Sequence, residues 1–325
     1  MLLRRKSLVA MVSLVAVSAM ATAANAQKKY DPGASDSEIK IGNIMPYSGP
    51  ASAYGTIGKA QAAYFNKINA EGGINGRKIN FISYDDAYSP PKAVEQARKL
   101  VESDEVLLTF QIIGTPSNAA VQRYLNGKKV PQLLAASGAT RFSDPKNAPW
   151  TIGFNPNYQS EARIYAKYIL QQAPNAKVAV LYQNDDSGRD YFKGIKDGLG
   201  AAADKMLTAV TTYEVTDPTI DSQIVSLQQS GADAFFMTGI PKFDAMAIRK
   251  AYDIGWKPKI FFISSTGSSV ATGIVPAGPD QVLQGNQAEA YATFLAEGET
   301  EVEGWEVVAT SYPGFEADLE TLTRS

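Results

Sequence analysis

Cysteine and histidine are both missing from the 325 residues. Their absence excludes zinc sites built on those side chains, thiol catalysis, haem ligation through imidazole or thiolate, and every Ser-His or Cys-His relay. An enzyme of this composition works with carboxylates, lysine, tyrosine or serine alone. Strong charge of either sign is also lacking. With 31 basic and 33 acidic residues the formal net charge is −2, which gives no long-range attraction for a phosphate backbone, so no nucleic-acid partner is expected. Neither G-x-G-x-x-G nor G-x-x-x-x-G-K-[ST] occurs, so the usual nucleotide cradles are missing. No cofactor and no metal site is expected. What is present is globular chemistry: 45% hydrophobic, 20% charged, with 26 Gly and 17 Pro. The length suits two lobes, since domains usually run roughly 100 to 200 residues.

Residues 1–26 divide into Arg4-Arg5-Lys6, an apolar run from Leu8 to Met20, and the small-residue end Ala24-Asn25-Ala26. That order is a secretory signal with cleavage expected before Gln27, which puts the mature chain in the periplasm. The apolar run is about 13 residues, against roughly 20 needed to span a bilayer. No cysteine follows it, so lipid attachment is not expected.

Beyond a polar stretch from Lys28 to Ser37, short apolar runs alternate with amphipathic segments. Strands are expected at 39–45, 78–84, 106–110 and 131–135, with helices at 58–70, 91–102 and 117–125. The pattern breaks near Pro145 to Pro149 and then resumes. Strands are expected at 150–154, 177–182, 207–213, 234–237 and 259–263, and helices at 160–172, 191–199, 220–229 and 243–254. Strand alternating with helix predicts parallel sheet covered on both faces. The economical reading is an α/β protein of two Rossmann-like lobes joined by a hinge, lobe one at 38–148 and lobe two at 149–280. Doubly wound sheets take ligands beyond the carboxyl ends of their strands, so a cleft between the lobes is expected.

The loops expected at those ends hold the candidate ligand residues. Tyr54 follows the first strand, Gly114 and Thr115 follow the third and open a helix, and Ser137 and Gly138 follow the fourth. The Thr115 turn would favour a carboxylate through helix-end amides, although Thr115 and Ser137 can equally be cap and turn residues. In the second lobe Tyr158 could supply an aromatic wall or a phenol hydrogen bond, or simply pack. Asp185-Asp186 and Asp85-Asp86 admit acid/base or metal chemistry on one side, and a helix cap with a solvated charge on the other. Asp186 is kept as a ligand-binding candidate.

Several ordered segments, namely Ile41-Gly42 through Ser48-Gly49-Pro50, Tyr54-Gly55, Ile68 to Gly76, Tyr84-Asp85-Asp86 and Lys196 to Leu199, make the chain resemble the type I periplasmic solute-binding proteins of ABC transporters, in the branched-chain amino-acid group. The resemblance covers residues 38–275. It implies a monomeric, non-enzymatic clamshell that closes on a small-molecule carboxylate and delivers it to an ABC permease in the inner membrane. It also implies that Tyr54, Gly114-Thr115 and Ser137-Gly138 line the pocket. Amino-acid binders offer second-lobe tyrosines and a glutamate for the ammonium, and the approximate counterparts here are Ser187, Ile240 and Thr266. An ammonium lacking a buried anion is poorly paired, so aromatic or other organic carboxylates are the expected ligands, with Thr266 retained as a contact.

From Gln281 the resemblance stops, and residues 281–325 carry nine acidic residues against the single basic Arg324. This is either a divergent ending or a truncated or frame-shifted one. The second is the expectation, with an incomplete second lobe and weak ligand binding as its consequence. A ligand-sensing receptor domain uses the same fold. An exported hydrolase would instead need two facing carboxylates, and the candidate loops offer hydroxyls and amides.

Overall fold

A computed structural model describes residues 30–264 and the short strand Val282–Gln284. The expected signal at 1–26, Thr266, and the 281–325 tail apart from that strand lie outside the described residues. Two compact units are present, and the described residues of the first are 30–136 and 142–154. The second contains 137–141 together with the described chain from Asn155 onward.

In the first unit the strands are β1 (Glu38–Met45), β2 (Lys78–Asp85), β3 (Leu108–Phe110), β4 (Gln132–Ala135) and β5 (Thr151–Gly153), and the helices are α1 (Gly55–Ala70), α2 (Pro90–Glu102) and α3 (Thr115–Lys128). The sheet order is β2-β1-β3-β4-β5, parallel throughout. Side chains along β2 alternate between the two faces, as the pleat requires. Phe81 meets Phe65 of α1 at 5.1 Å between ring centroids. Ile82 and Tyr84 instead pack on the cluster of Ile44, Leu100, Val121 and Leu125 beneath α2 and α3. Both faces are therefore covered.

The second unit repeats the plan with β6 (Val178–Gln183), β7 (Leu207–Tyr213), β8 (Ala234–Thr238), β9 (Ile260–Ile263) and β10 (Val282–Gln284). Its helices are α4 (Tyr158–Gln172), α5 (Asp186–Leu199), the single turn α6 (Ala203–Met206), α7 (Asp221–Gln229) and α8 (Pro241–Asp253). Its order, β10-β9-β8-β6-β7, is the same progression as in the first sheet. Strand β8 is buried along its whole length, the signature of a central parallel strand. Phe236 faces Tyr165 of α4 at 5.4 Å, and the adjacent Phe235 faces Trp256 at 4.9 Å on the opposite side.

In each sheet the chain runs outward from the first strand to the second and then returns to the other side of the first. The switch points are therefore β1/β3 and β6/β8, and their carboxyl ends are where such sheets hold ligands.

Candidate ligand-binding site

At the first switch point the turn after β3 is held rigidly from beneath. The Asn118 side-chain amide donates to the carbonyls of Ile112 and Gly114 at 2.6 and 2.9 Å. The Asn43 amide donates to the carbonyls of Phe110 and Gln111 at 2.8 and 3.0 Å. Gly114 takes φ 95°, a conformation that side-chain-bearing residues rarely adopt, and a Cβ there would lie 2.4 Å from the Tyr88 ring. As the N-cap of α3 it brings no side-chain cap. The amide end of α3 therefore begins at Thr115, which is buried. Tyr54 closes the 3-10 turn Ser52–Tyr54 that leads into α1.

Asp86, next to this turn, accepts from the Ser117 hydroxyl at 2.5 Å and from the Tyr88 amide at 2.9 Å. Burial raises its pKa, and those two hydrogen bonds only partly offset the rise. Asp85 instead accepts from the Ser48 amide and hydroxyl and from the Ala87 amide. These bonds outweigh its desolvation and leave its pKa lowered. The pair thus fixes the loops after β1 and β2.

In the second unit, Ser137, Gly138 and Tyr158 meet. The Tyr158 amide donates to the Gly138 carbonyl at 2.9 Å. Burial pushes the phenol up to about 12, although the Gly138 backbone and the Ser137 side chain both hydrogen-bond to it. Ser137 and Tyr158 are buried, and the Tyr158 ring stacks on Tyr191 at 4.5 Å. The phenol oxygen thus occupies the donors that the sequence reading assigned to a ligand carboxylate. Gly138 is required by close approach, because a Cβ would lie 2.0 Å from the Pro156 carbonyl oxygen.

Asp185 is the N-cap of α5, accepting from the Gly188 amide at 3.0 Å. Asp186 pairs with Arg141 and Arg189, both at 2.7 Å. Partial burial raises its pKa, but the hydrogen bonds from Arg189 and Arg141 prevail and lower it. Cap and paired charge are thus the roles occupied by the two acids. Among the described residues no group of three or more acidic side chains is placed to hold a metal, and no helix is long and apolar enough to cross a membrane.

The β6/β8 switch point holds a residue that the sequence reading passed over. Gln183, at the end of β6, accepts from the Tyr213 hydroxyl at 3.3 Å, and that hydroxyl accepts from the Ile240 amide at 3.3 Å. Beside this chain of bonds lies Asp244, in the first turn of α8. It is fully buried, and neither carboxylate oxygen has a hydrogen-bond partner. Burial alone pushes its carboxyl well above the usual range. An unpaired buried charge costs on the order of several kcal/mol, so the group sheds its charge instead. The signal was legible in principle. Pro241, Asp244, Ile248 and Ala251 fall at helical spacing on the buried side of α8, and one of the four is an acid.

A family model described as "Periplasmic binding protein" matches residues 38–314, which is further than the 275 reached by the residue-level resemblance. A Leu/Ile/Val-binding protein homolog 1 from Brucella abortus (strain 2308) is 25% identical over 309 residues, covering 90% of this chain and 78% of that protein. Among solved structures, a fatty acid ABC transporter substrate-binding protein from Thermomonospora curvata superposes with a TM-score of 0.67 at 22% identity, over 77% of this chain and 64% of that one. A solute-binding protein of an ABC transporter from Rhodopseudomonas palustris BisB5, in complex with 3,4-dihydroxy benzoic acid, gives 0.62 at 18% identity, over 72% and 63%. The chain thus spans just under two thirds of the length of these two structures.

Proposed function

The chain belongs to the periplasmic binding protein family, and we propose that it is the exported receptor of an ABC importer, capturing a small organic carboxylate and passing it unchanged to an inner-membrane permease. The observation that supports this reading is the repeated sheet order, which gives each unit a switch point of the kind that takes ligand at its carboxyl strand ends. The relatives' ligands, branched-chain amino acids, fatty acids and a dihydroxybenzoate by their names, share a carboxylate. The α3 amino-terminal end at Thr115 suits that group, because the helix dipole favours an anion there.

Candidate donors lie in each unit taken by itself. Tyr54 and the Gly114-Thr115 turn come from the first. Ser137, Gly138 and Tyr158 come from the second, where the phenol holds the donors until a ligand oxygen replaces it. Asp186 orders Arg141, whose guanidinium is half exposed. Aromatic acids and amino-acid-like solutes are the two ligand classes in view, and Thr266 remains a candidate contact. Residues 1–26 serve as the cleaved export signal, and the mature receptor acts as a monomer in the periplasm.

The test is a thermal-shift screen of the purified chain across amino acids, aromatic acids, fatty acids and sugars. Saturable stabilisation by carboxylates, with the ligand recovered intact, is expected. Stabilisation by sugars alone, or conversion of the ligand, would overturn the reading.

A further inference from the structure

We propose that Asp244 is a proton-operated latch of the second unit: protonated, it stays in the core and the 239–243 turn stays shut, and on losing its proton it leaves the core and opens that turn. The latch rests on burial and bonding within the unit. It bears on the receptor reading, because the turn lies at the strand ends where a sheet of this order takes ligand, but it does not depend on that reading.

Asp244 is fully buried, and neither of its carboxylate oxygens has a hydrogen-bond partner. Among the described residues the other buried acids are satisfied. Glu161 accepts from the Tyr165 and Tyr191 hydroxyls at 2.5 and 2.7 Å, and Asp86 accepts from Ser117 and the Tyr88 amide. A carboxyl group with no donor facing it remains in a core only while it carries its proton. The surroundings supply no such donor. Gly239, at the end of β8, has no side chain to offer and no room for one, since a Cβ would lie 3.1 Å from an Asp244 oxygen and 2.4 Å from the Tyr213 hydroxyl. That hydroxyl is committed to Gln183 and to the Ile240 amide.

The way out is short. Asp244 lies in the first turn of α8, whose N-cap Ile240 brings no side-chain cap. The turn is held by the Ile240 amide on the Tyr213 hydroxyl at 3.3 Å, by the Phe243 and Asp244 amides on the Ile240 carbonyl at 2.9 and 3.2 Å, and by the Phe243 ring against Tyr213 at 4.3 Å. Such a turn can open by itself, as helix ends do, while the sheet behind it stays folded. Strand β8, by contrast, is buried throughout and paired on both sides, with β6 and β9. Once released, the carboxylate gains water at the amino-terminal end of a helix, where the dipole favours negative charge.

The charges around the latch do not replace it. On β7 the titratable neighbour is the Tyr213 phenol. At the end of β6, Gln183 donates to Asp185 at 2.7 Å. On α7, Asp221 is paired with Lys250 at 3.2 Å. On α8 itself, Lys242 lies 4.8 Å from the centre of the Phe243 ring, and Arg249 is exposed. Burial alone raises the pKa of Asp244, with no contribution from any of these groups. The closed turn therefore binds the proton more tightly than the open one. Opening grows by up to about tenfold per pH unit as pH rises toward the folded pKa, and levels off beyond it.

The experiment follows amide hydrogen exchange in the full chain from about pH 5 to about pH 8, corrected for intrinsic exchange, in wild type, Asp244→Asn and Asp244→Ala. Asparagine keeps the size of the neutral acid, and alanine removes the polar group from a helical position that suits it. In wild type, protection of the Ile240, Phe243 and Asp244 amides is expected to fall about tenfold or more across that range, while the amides of β6 hold theirs. In both variants the same three amides keep their protection within about twofold. Protection of the wild-type turn that does not change with pH, or variants that retain the wild-type slope, overturns the latch. A slope shared equally by the turn and β6 also overturns it, because global unfolding then carries the proton. No ligand enters the measurement, so its failure leaves the receptor reading to its own screen.

Discussion

At the scale of single residues, backbone constraint and buried polarity decide what each position does. Gly114→Ala forces a side chain into φ 95° and against Tyr88. A loss of about 1–3 kcal/mol in urea unfolding is expected, and an unchanged midpoint would contradict the geometry. Asp244 gives a prediction with a definite sign. Its folded pKa lies above the unfolded 3.8, so its contribution to stability is fully present below pH 3.8. That contribution is lost as pH rises through the folded pKa. Ligand-free Asp244→Asn should therefore gain stability relative to wild type as pH climbs from about 4 toward neutrality, measured as the difference in Tm. A difference that does not change with pH would contradict a buried neutral acid. This residue was the part of the site least legible in the sequence. Aspartate in a first helical turn is commonplace there, and only tertiary packing turns it into an orphaned carboxyl. Asp185, by contrast, could be read as a cap from its position before an amphipathic run.

At the scale of elements, hydrophobic periodicity located strands β1 to β9 and every helix but the single turn α6, because parallel strands buried on two faces are runs that nothing else in a short window imitates; strand β10 falls in the stretch from 281 where the sequence reading expected none. The edges were less legible, above all where a polar or glycine-rich turn opens a helix. Helix α1 begins at Gly55 rather than 58, and α5 at Asp186 rather than 191. The Asp185 cap opens α5, and α1, which has no side-chain cap, continues directly from the 3-10 turn Ser52–Tyr54; periodicity registers neither. Strand β3 starts at Leu108 rather than 106, since Glu105 takes a positive φ and Val106 packs under α2 instead of pairing. The cap on α5 can be weighed directly. Asp185→Ala removes the bond to the Gly188 amide and should cost about 1 kcal/mol in thermal unfolding. Arg141→Ala, which removes one of two exposed partners of Asp186, should cost no more than about 1 kcal/mol. A larger loss from Arg141 than from Asp185 would mean that the guanidinium does more than screen a surface acid.

At the scale of the molecule, the two sheets share one strand order, which alternation of elements alone could not reveal. Periodicity says that strands and helices take turns, but not which strands become neighbours. The assignment of residues 137–141 to the second unit was likewise beyond sequence reading. It depends on Gly138 and Tyr158, twenty residues apart, binding each other through backbone and phenol. That pairing places two of the proposed ligand donors under the control of one tyrosine. On the proposed reading, capture of a carboxylate at these two donors would be an exchange of one oxygen for another. Such exchange needs no bond to be made or broken in the ligand.

The most direct measurement of that claim is calorimetric titration of the purified chain with the carboxylates found by screening, followed by chemical analysis of the recovered solute. The account predicts one molecule bound per chain and returned unaltered. A chain that binds no carboxylate at any attainable concentration, or that returns a transformed product, would contradict it.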